Sequence, residues 1–169
     1  MENIKQLYLI GMMGSGKSST GKALSSILGW NFIDIDNEIS NTHNFTINEL
    51  FSKGEQYFRD IEYTELRKHI SKENIIVAVG GGAVTYKESF NLLSSKSCLY
   101  LKTSKNILLN RLQDDDTRPL LNVENKEEVL DKIMHQREQK YQTLCNYEML
   151  TDNTSIQENC NKIMEMINV

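Results

Sequence analysis

Residues Gly11-Met12-Met13-Gly14-Ser15-Gly16-Lys17-Ser18 spell G-x-x-x-x-G-K-S directly behind the apolar run Leu7-Tyr8-Leu9-Ile10. This octet constrains the fold more than any other segment, because it works only between a strand and a helix. The glycines let the backbone curl until several N–H groups converge on one anion. The helix that follows adds its positive dipole end to the same point. A polyphosphate is the ligand such a loop fits. Gly14, Ser15, Gly16, Lys17, Ser18 and Ser19 are its expected cradle, with Lys17 reaching the β and γ phosphates as a point charge. The Ser18 hydroxyl would ligate magnesium.

The rest of the chain continues the alternation this opening demands. Strand-like runs are expected at Leu7–Ile10, Asn31–Ile35, Ile75–Val79, Ser97–Leu101 and Glu148–Thr151. Between them lie helix-period stretches. One runs from Gly16 to Leu28, with Ala23, Leu24, Ile27 and Leu28 on one face. Another starts near Glu55 and is marked by Phe58, Ile61, Leu66 and Ile70. Capping-box spacing appears at Thr46/Glu49, Thr85/Glu88 and Ser155/Glu158. Strands alternating with helices imply an α/β fold, a parallel sheet covered on both faces. The single proline, Pro119, sits in a polar stretch from Gln113 to Glu128. That stretch joins a helix ending near Leu112 to one running from about Lys126 to Cys145, and is a candidate lid, about residues 112–125. No repeat or linker divides the 169 residues, so one domain is expected, large enough to bury roughly 70% of its unfolded-state surface.

Ligands of such sheets bind at the carboxyl ends of the strands, and three successive strand ends carry useful chemistry. The first carries the phosphate loop. The second carries Asp34-Ile35-Asp36, whose alternation along an extended segment would point both carboxylates the same way. One carboxylate can hold a magnesium-bound water while the other accepts from a substrate hydroxyl; two acidic residues at a helix start, with Asp36 as N-cap, are the plainer reading. The third carries Gly80-Gly81-Gly82, where no side chain keeps a ligand from the backbone. Arg59 is flanked by Phe58 and Ile61 on an apolar helix, and Glu62 one turn on can fix its guanidinium. Arg118 precedes the lid proline, where closure would bring it to the transferred phosphoryl group. Arg137 lies on the helix beyond the lid.

Composition closes off other classes. A net charge of −4 is not that of a general nucleic-acid binder. Cys98, Cys145 and Cys160 have neither metal-like spacing nor an even count, so reduced cytosolic thiols are expected. His43, His69 and His135 share no metal or triad spacing and read as surface or packing residues. The N-terminal residues lead straight into the first strand, without the pattern of a signal peptide, and no apolar run approaches the ~18 residues of a membrane span. A cytoplasmic protein is expected. No exposed apolar stripe demands a partner, so a monomer is expected.

Taken together, these residues resemble the shikimate kinase family. The matching segments are Gly11 to Gly21, Phe32-Ile33-Asp34-Ile35-Asp36, Gly54 to Glu62 (with Phe58-Arg59 and Glu62), Gly80-Gly81-Gly82-Ala83-Val84, Arg118-Pro119-Leu120-Leu121, and Arg137 with Tyr141. They span the chain from Leu7 to about Asn153. The resemblance implies transfer of the γ-phosphoryl group of ATP to the 3-hydroxyl of shikimate, on the route to aromatic amino acids. It implies a three-layer αβα fold of the nucleoside-monophosphate-kinase type, with a five-stranded parallel sheet of order 2-3-1-4-5 and a short lid. The family's shikimate ligands fall on Asp36, Arg59, Gly81 (within Gly80-Gly81-Gly82) and Arg137, with a substrate-binding region at about residues 36–62. Its magnesium ligand falls on Ser18, with Asp34 behind it. Arg118 falls on the lid residue that reaches the phosphates and Arg111 on the residue stacked near adenine. Lys17, Asp36 and Arg118 are the catalytic candidates, with Asp36 orienting the attacking hydroxyl.

Two features depart from the family pattern. Asp114-Asp115-Asp116-Thr117 places an acidic run before Arg118, and Asn153 is followed by Thr154-Ser155 where the family often carries a basic residue. A related kinase for gluconate or a nucleoside monophosphate is the alternative within enzymes. A catalytically silent ATP-binding module is the alternative outside them.

Overall fold

A computed structural model describes residues 4–113, 119–121 and 123–168. Five parallel strands form one sheet: β1 (Gln6–Ile10), β2 (Asn31–Asp34), β3 (Ile75–Ala78), β4 (Cys98–Lys102) and β5 (Tyr147–Leu150). Their spatial order is β2-β3-β1-β4-β5, the order the resemblance implies. The phosphate-loop strand β1 is central, with Leu9 paired to Ala78 of β3 on one side and to Leu99 of β4 on the other.

Among the described residues eight α-helices surround the sheet: α1 (Lys17–Leu28), α2 (Ile35–His43), α3 (Ile47–Ser52), α4 (Glu55–Arg67), α5 (Lys87–Leu93), α6 (Lys105–Leu112), α7 (Lys126–Leu144) and α8 (Ile156–Ile167). Period-2 alternation on β1 splits the core in two. Tyr8 and Ile10 join Val77, Val79, Tyr100, Phe58, Leu66, Leu130 and Tyr141 in one cluster. Leu7 and Leu9 join Ile76, Leu99, Leu24, Ile163 and Ile167 in the other. Both faces are therefore covered, giving the three-layer αβα arrangement.

Several elements differ from the sequence expectation for local reasons. On α1 the buried residues are Thr20, Gly21, Leu24 and Ser25, while Ile27 is exposed. A Cβ on Gly21 would stand 2.5 Å from the Phe32 ring and 3.0 Å from Leu9, so at Gly21 α1 lies too close to the sheet for any side chain. The capping boxes at Thr46/Glu49 and Ser155/Glu158 form; that at Thr85 does not. Thr85 ends a 3₁₀ turn (Ala83–Thr85) and its hydroxyl donates to the Gly82 carbonyl, so α5 begins two residues later without a side-chain cap. Helix α4 stops at Arg67, short of Ile70, and buries Arg59, Glu62 and Glu65 beside Phe58 and Leu66. Three buried charges on one helix are costly unless partners are built for them.

Candidate active site

The loop from Gly11 to Gly16 holds the turn the octet demands. Gly11, Gly14 and Gly16 have φ of 144°, 78° and 88°, a region that side chains other than glycine rarely occupy. Gly16 leads directly into α1. Lys17 Nζ donates to the carbonyls of Gly11 (2.9 Å) and Met12 (2.8 Å) and so arches back over the loop. The Ser18 hydroxyl donates to Asp34 Oδ2. A cleft of about 450 Å³ opens over these residues, bounded also by Asp36, Gly80, Gly81, Arg111 and Asn159. Gly14, Ser15, Gly16, Lys17, Ser18, Ser19, Asp34 and Arg111 all line it.

The Asp34-Ile35-Asp36 expectation needs correction. The strand ends at Asp34, so the two carboxylates do not alternate along an extended segment. Asp34 is the N-cap of α2 and accepts from the Asn37 N–H at 3.2 Å; Asp36 stands in the first helical turn. Asp34, not Asp36, is the capping residue. The helical geometry still brings both to the wall of the same cleft.

Across that wall lies a second pocket, lined by Asp36, Arg59, Glu62, Gly80, Gly81, Gly82 and Arg137 together with Met13, Phe51 and Leu120. Arg59 is 5% exposed. Its Nη1 donates to Glu62 Oε2 at 2.6 Å and its Nη2 to Glu55 Oε1 at 3.2 Å. Burial works against the guanidinium's charge, but Glu62 and Glu55 more than offset it and leave the group raised. Glu62 is 1% exposed, and burial, helped by the Asp36 charge and opposed by Arg59, lifts its carboxyl to about 7. Arg137 is 4% exposed and is pulled down by burial, with the neighbouring Arg59 adding to the effect. Two buried cations and a buried carboxylate thus crowd one pocket, an arrangement that suits an anionic guest.

The triple glycine makes that crowding possible. A Cβ on Gly80 would collide with the Glu62 carboxylate, and one on Gly82 with the Arg59 guanidinium. One on Gly81 would press the backbone of Gly11 and Met13 at 3.2 Å. The Gly81 carbonyl accepts from the Tyr141 hydroxyl at 2.5 Å, and Tyr141 stacks on Tyr100 with ring centroids 5.0 Å apart. Helices α4 and α7 are therefore clamped against the loop after β3.

Arg118 and the acidic run Asp114 to Asp116 lie outside the described residues. Arg111 sits at the far end of the first cleft, donating to the carbonyls of Gly14 (3.0 Å) and Thr151 (3.2 Å). Residues to which the sequence reading gave no role also belong to this region: Glu55 is the second partner of Arg59, and Thr151, Thr154, Ile156 and Asn159 line the first cleft with Arg111. The cysteines are free, with Cys98 and Cys160 buried. His69 packs in the interior, and His43 Nε2 lies 3.6 Å from Glu65. Among the described residues no helix is long and apolar enough to cross a membrane.

With that geometry in place, similarity to known proteins is informative. A family model described as shikimate kinase matches residues 13–168. A shikimate kinase of Synechococcus sp. (strain CC9902) is 42% identical over 139 residues, covering 81% of this chain and 73% of that protein. One from Acinetobacter baumannii (strain AYE) is 34% identical over 168 residues, covering 98% of this chain and 93% of its own length. Among solved structures, shikimate kinase from Acinetobacter baumannii in complex with shikimate superposes with a TM-score of 0.95 at 33% identity, covering 99% of this chain and 94% of that one. A gluconokinase from Sinorhizobium meliloti 1021 reaches a TM-score of 0.60 at 14% identity, a likeness of fold alone. The chain belongs to the shikimate kinase family.

Proposed function

We propose a residue-level account of how this chain, an ATP-dependent kinase of that family, phosphorylates shikimate. The observation that carries it is a shared wall. Met13, Asp36, Gly80 and Gly81 border both the phosphate-loop cleft and the arginine-lined pocket. A donor phosphoryl group and an acceptor hydroxyl held in the two spaces would meet across these residues.

On the donor side, the loop from Gly14 to Ser19 cradles the phosphates of ATP, and Lys17 exchanges its backbone partners for phosphate oxygens. The Ser18 hydroxyl and the Asp34 carboxylate are hard oxygen donors on adjacent elements. They fit Mg²⁺, which binds few protein ligands and keeps several waters. When bound, the ion would neutralise charge on the phosphates; Ser18 would ligate it and Asp34 would hold a coordinated water. On the acceptor side, Arg59 and Arg137 bind the carboxylate of shikimate through charge-assisted bonds. Gly80, Gly81 and Gly82 admit the ring to the backbone, and Asp36 accepts from the ring hydroxyls. Asp36 thereby orients the 3-hydroxyl toward the γ phosphorus. Phosphoryl transfer depends chiefly on positioning and charge neutralisation, so orientation is the main demand on Asp36. Arg118 supplies positive charge from the lid to the transferred group.

The reading is tested by coupled ADP release with shikimate, gluconate or a nucleoside monophosphate as acceptor. Turnover is expected with shikimate. Turnover with gluconate in place of shikimate would reject the allocation of Arg59 and Arg137.

A further inference from the structure

The phosphate-loop cleft extends past the phosphate chemistry. Its phosphate end is the loop itself, with Ser18 and Asp34; its other end is the turn between β5 and α8, bordered by Arg111, Thr151, Thr154, Ile156 and Asn159. The acceptor pocket occupies the opposite side, so this far end is where the nucleoside of the donor must lie. The surfaces there suit a flat ring. The Arg111 guanidinium is pinned by two carbonyls, on Gly14 and Thr151, and a pinned guanidinium offers a planar face for stacking. Ile156 contributes an apolar side chain that is 46% exposed.

Asn159 does not fit a purely structural role. It belongs to the buried side of α8, with Cys160, Ile163 and Ile167, and is 5% exposed. Its Oδ1 is buried without a hydrogen-bond partner among the described residues. Thr154 Oγ1 beside it is likewise unpartnered. Burying a carboxamide oxygen unpaired costs free energy that an apolar residue would avoid. The backbone that carries the side chain is also held in place. The Ser155/Glu158 capping box fixes the start of α8, and the Asn159 N–H donates to the Ser155 carbonyl at 3.0 Å. Asp152 Oδ1 anchors the preceding turn by accepting from the Ser104 N–H at 2.9 Å.

We infer that Asn159 reads the edge of the donor's base, its Oδ1 accepting from the exocyclic amine of a 6-aminopurine ring stacked on Arg111. A 6-oxopurine presents an oxygen at that edge and leaves Oδ1 unpaired. The carboxamide can answer an oxo group only by turning over, so the discrimination is one of degree. The inference rests on the reading of this cleft as the ATP site.

The test is steady-state kinetics at saturating shikimate with ATP, inosine triphosphate and 2′-deoxyATP, for the wild-type protein and for Asn159→Leu. Inosine triphosphate differs from ATP at the base edge, 2′-deoxyATP at the ribose. The wild type is expected to use inosine triphosphate at least about tenfold less efficiently than ATP, because a site that hydrogen-bonds a group rejects an analogue lacking it. It should use 2′-deoxyATP within about threefold of ATP, since the ribose makes no such contact in this assignment. Asn159→Leu should raise KM for ATP to near that for inosine triphosphate and leave KM for shikimate in place. Equal use of ATP and inosine triphosphate by the wild type would overturn the inference without any variant. So would an ATP preference that survives Asn159→Leu, or a loss that falls on 2′-deoxyATP instead. Failure of the ATP reading looks different, because the wild type would then show no shikimate-dependent turnover with any of the three nucleotides.

Discussion

The donor and acceptor halves of the site are built from different materials. The phosphate end of the donor cleft is a backbone device, made of glycines at positive φ and the start of α1. One lysine and one hydroxyl complete it. The acceptor pocket is a side-chain device, in which Arg59, Glu62 and Arg137 are each at least nine-tenths buried. A backbone cradle is indifferent to what lies beyond the phosphate. Buried charges set by their neighbours respond to any change in those neighbours. The donor half should therefore fail by loss of one charge, and the acceptor half by loss of arrangement.

The largest expected effect is on the donor side. Lys17→Met should lower kcat by about 10²–10³-fold or more, since a preorganised positive group at the reacting phosphoryl is lost. Its affinity for shikimate should stay near that of the wild type. Coupled ADP release and calorimetry measure the two quantities separately.

A single methyl group tests the acceptor side. Gly82→Ala should displace the Arg59 guanidinium, with which the new Cβ would collide. A displacement of about 1 Å can cost ~10²-fold, and here the loss should fall on kcat/KM for shikimate. Nucleotide affinity should be preserved. A Gly82→Ala enzyme with normal shikimate kinetics would break the claim that Arg59 placement governs the pocket.

The smallest effect is on pH dependence. With the Glu62 carboxyl at about 7, the pocket gains a negative charge as pH rises through neutrality. That charge competes for Arg59 and repels a carboxylate guest, so KM for shikimate should rise above pH 7. A partly screened charge at this range is worth about 1 kcal/mol, or roughly fivefold. The same group affects stability. Its folded pKa exceeds the usual 4.5, so the native state binds the proton more tightly, and stability falls as pH rises from 4.5 to about 7. Glu62→Gln should flatten both profiles; a KM profile unchanged by Glu62→Gln would assign the titration to another group.

The same contrast explains what the sequence made legible. The βα alternation and the octet suffice for the sheet, its coverage and the phosphate loop, because both are local and carried by backbone. Arg59 with Glu62 was readable as an i,i+3 pair on α4. Glu55, one turn before Arg59, was not, because exposed glutamates at i−4 are common and nothing local marks one as a pocket partner. The Asp34-Ile35-Asp36 geometry was misread because a D-x-D tripeptide after a strand suits both an extended run and a helix start. Asp34 settles the choice by capping α2 through the Asn37 N–H. The Thr85 cap failed because a 3₁₀ turn intervenes before α5. Asn159 carried a usable signal. Phasing α8 from the Ser155 capping box places an asparagine on the buried face with Cys160, Ile163 and Ile167, and a polar residue on an apolar stripe asks for a ligand.

The most direct test of a site divided into two independent halves is calorimetric titration of shikimate and of MgADP into Arg59→Ala and Lys17→Met. Removing one partner of a buried charged pair costs ~2–5 kcal/mol. Arg59→Ala should therefore bind shikimate at least about 30-fold more weakly and bind MgADP as the wild type does. Lys17→Met should show the reverse pattern. Comparable loss of both ligands in each variant, with the fold intact by circular dichroism, would contradict the division.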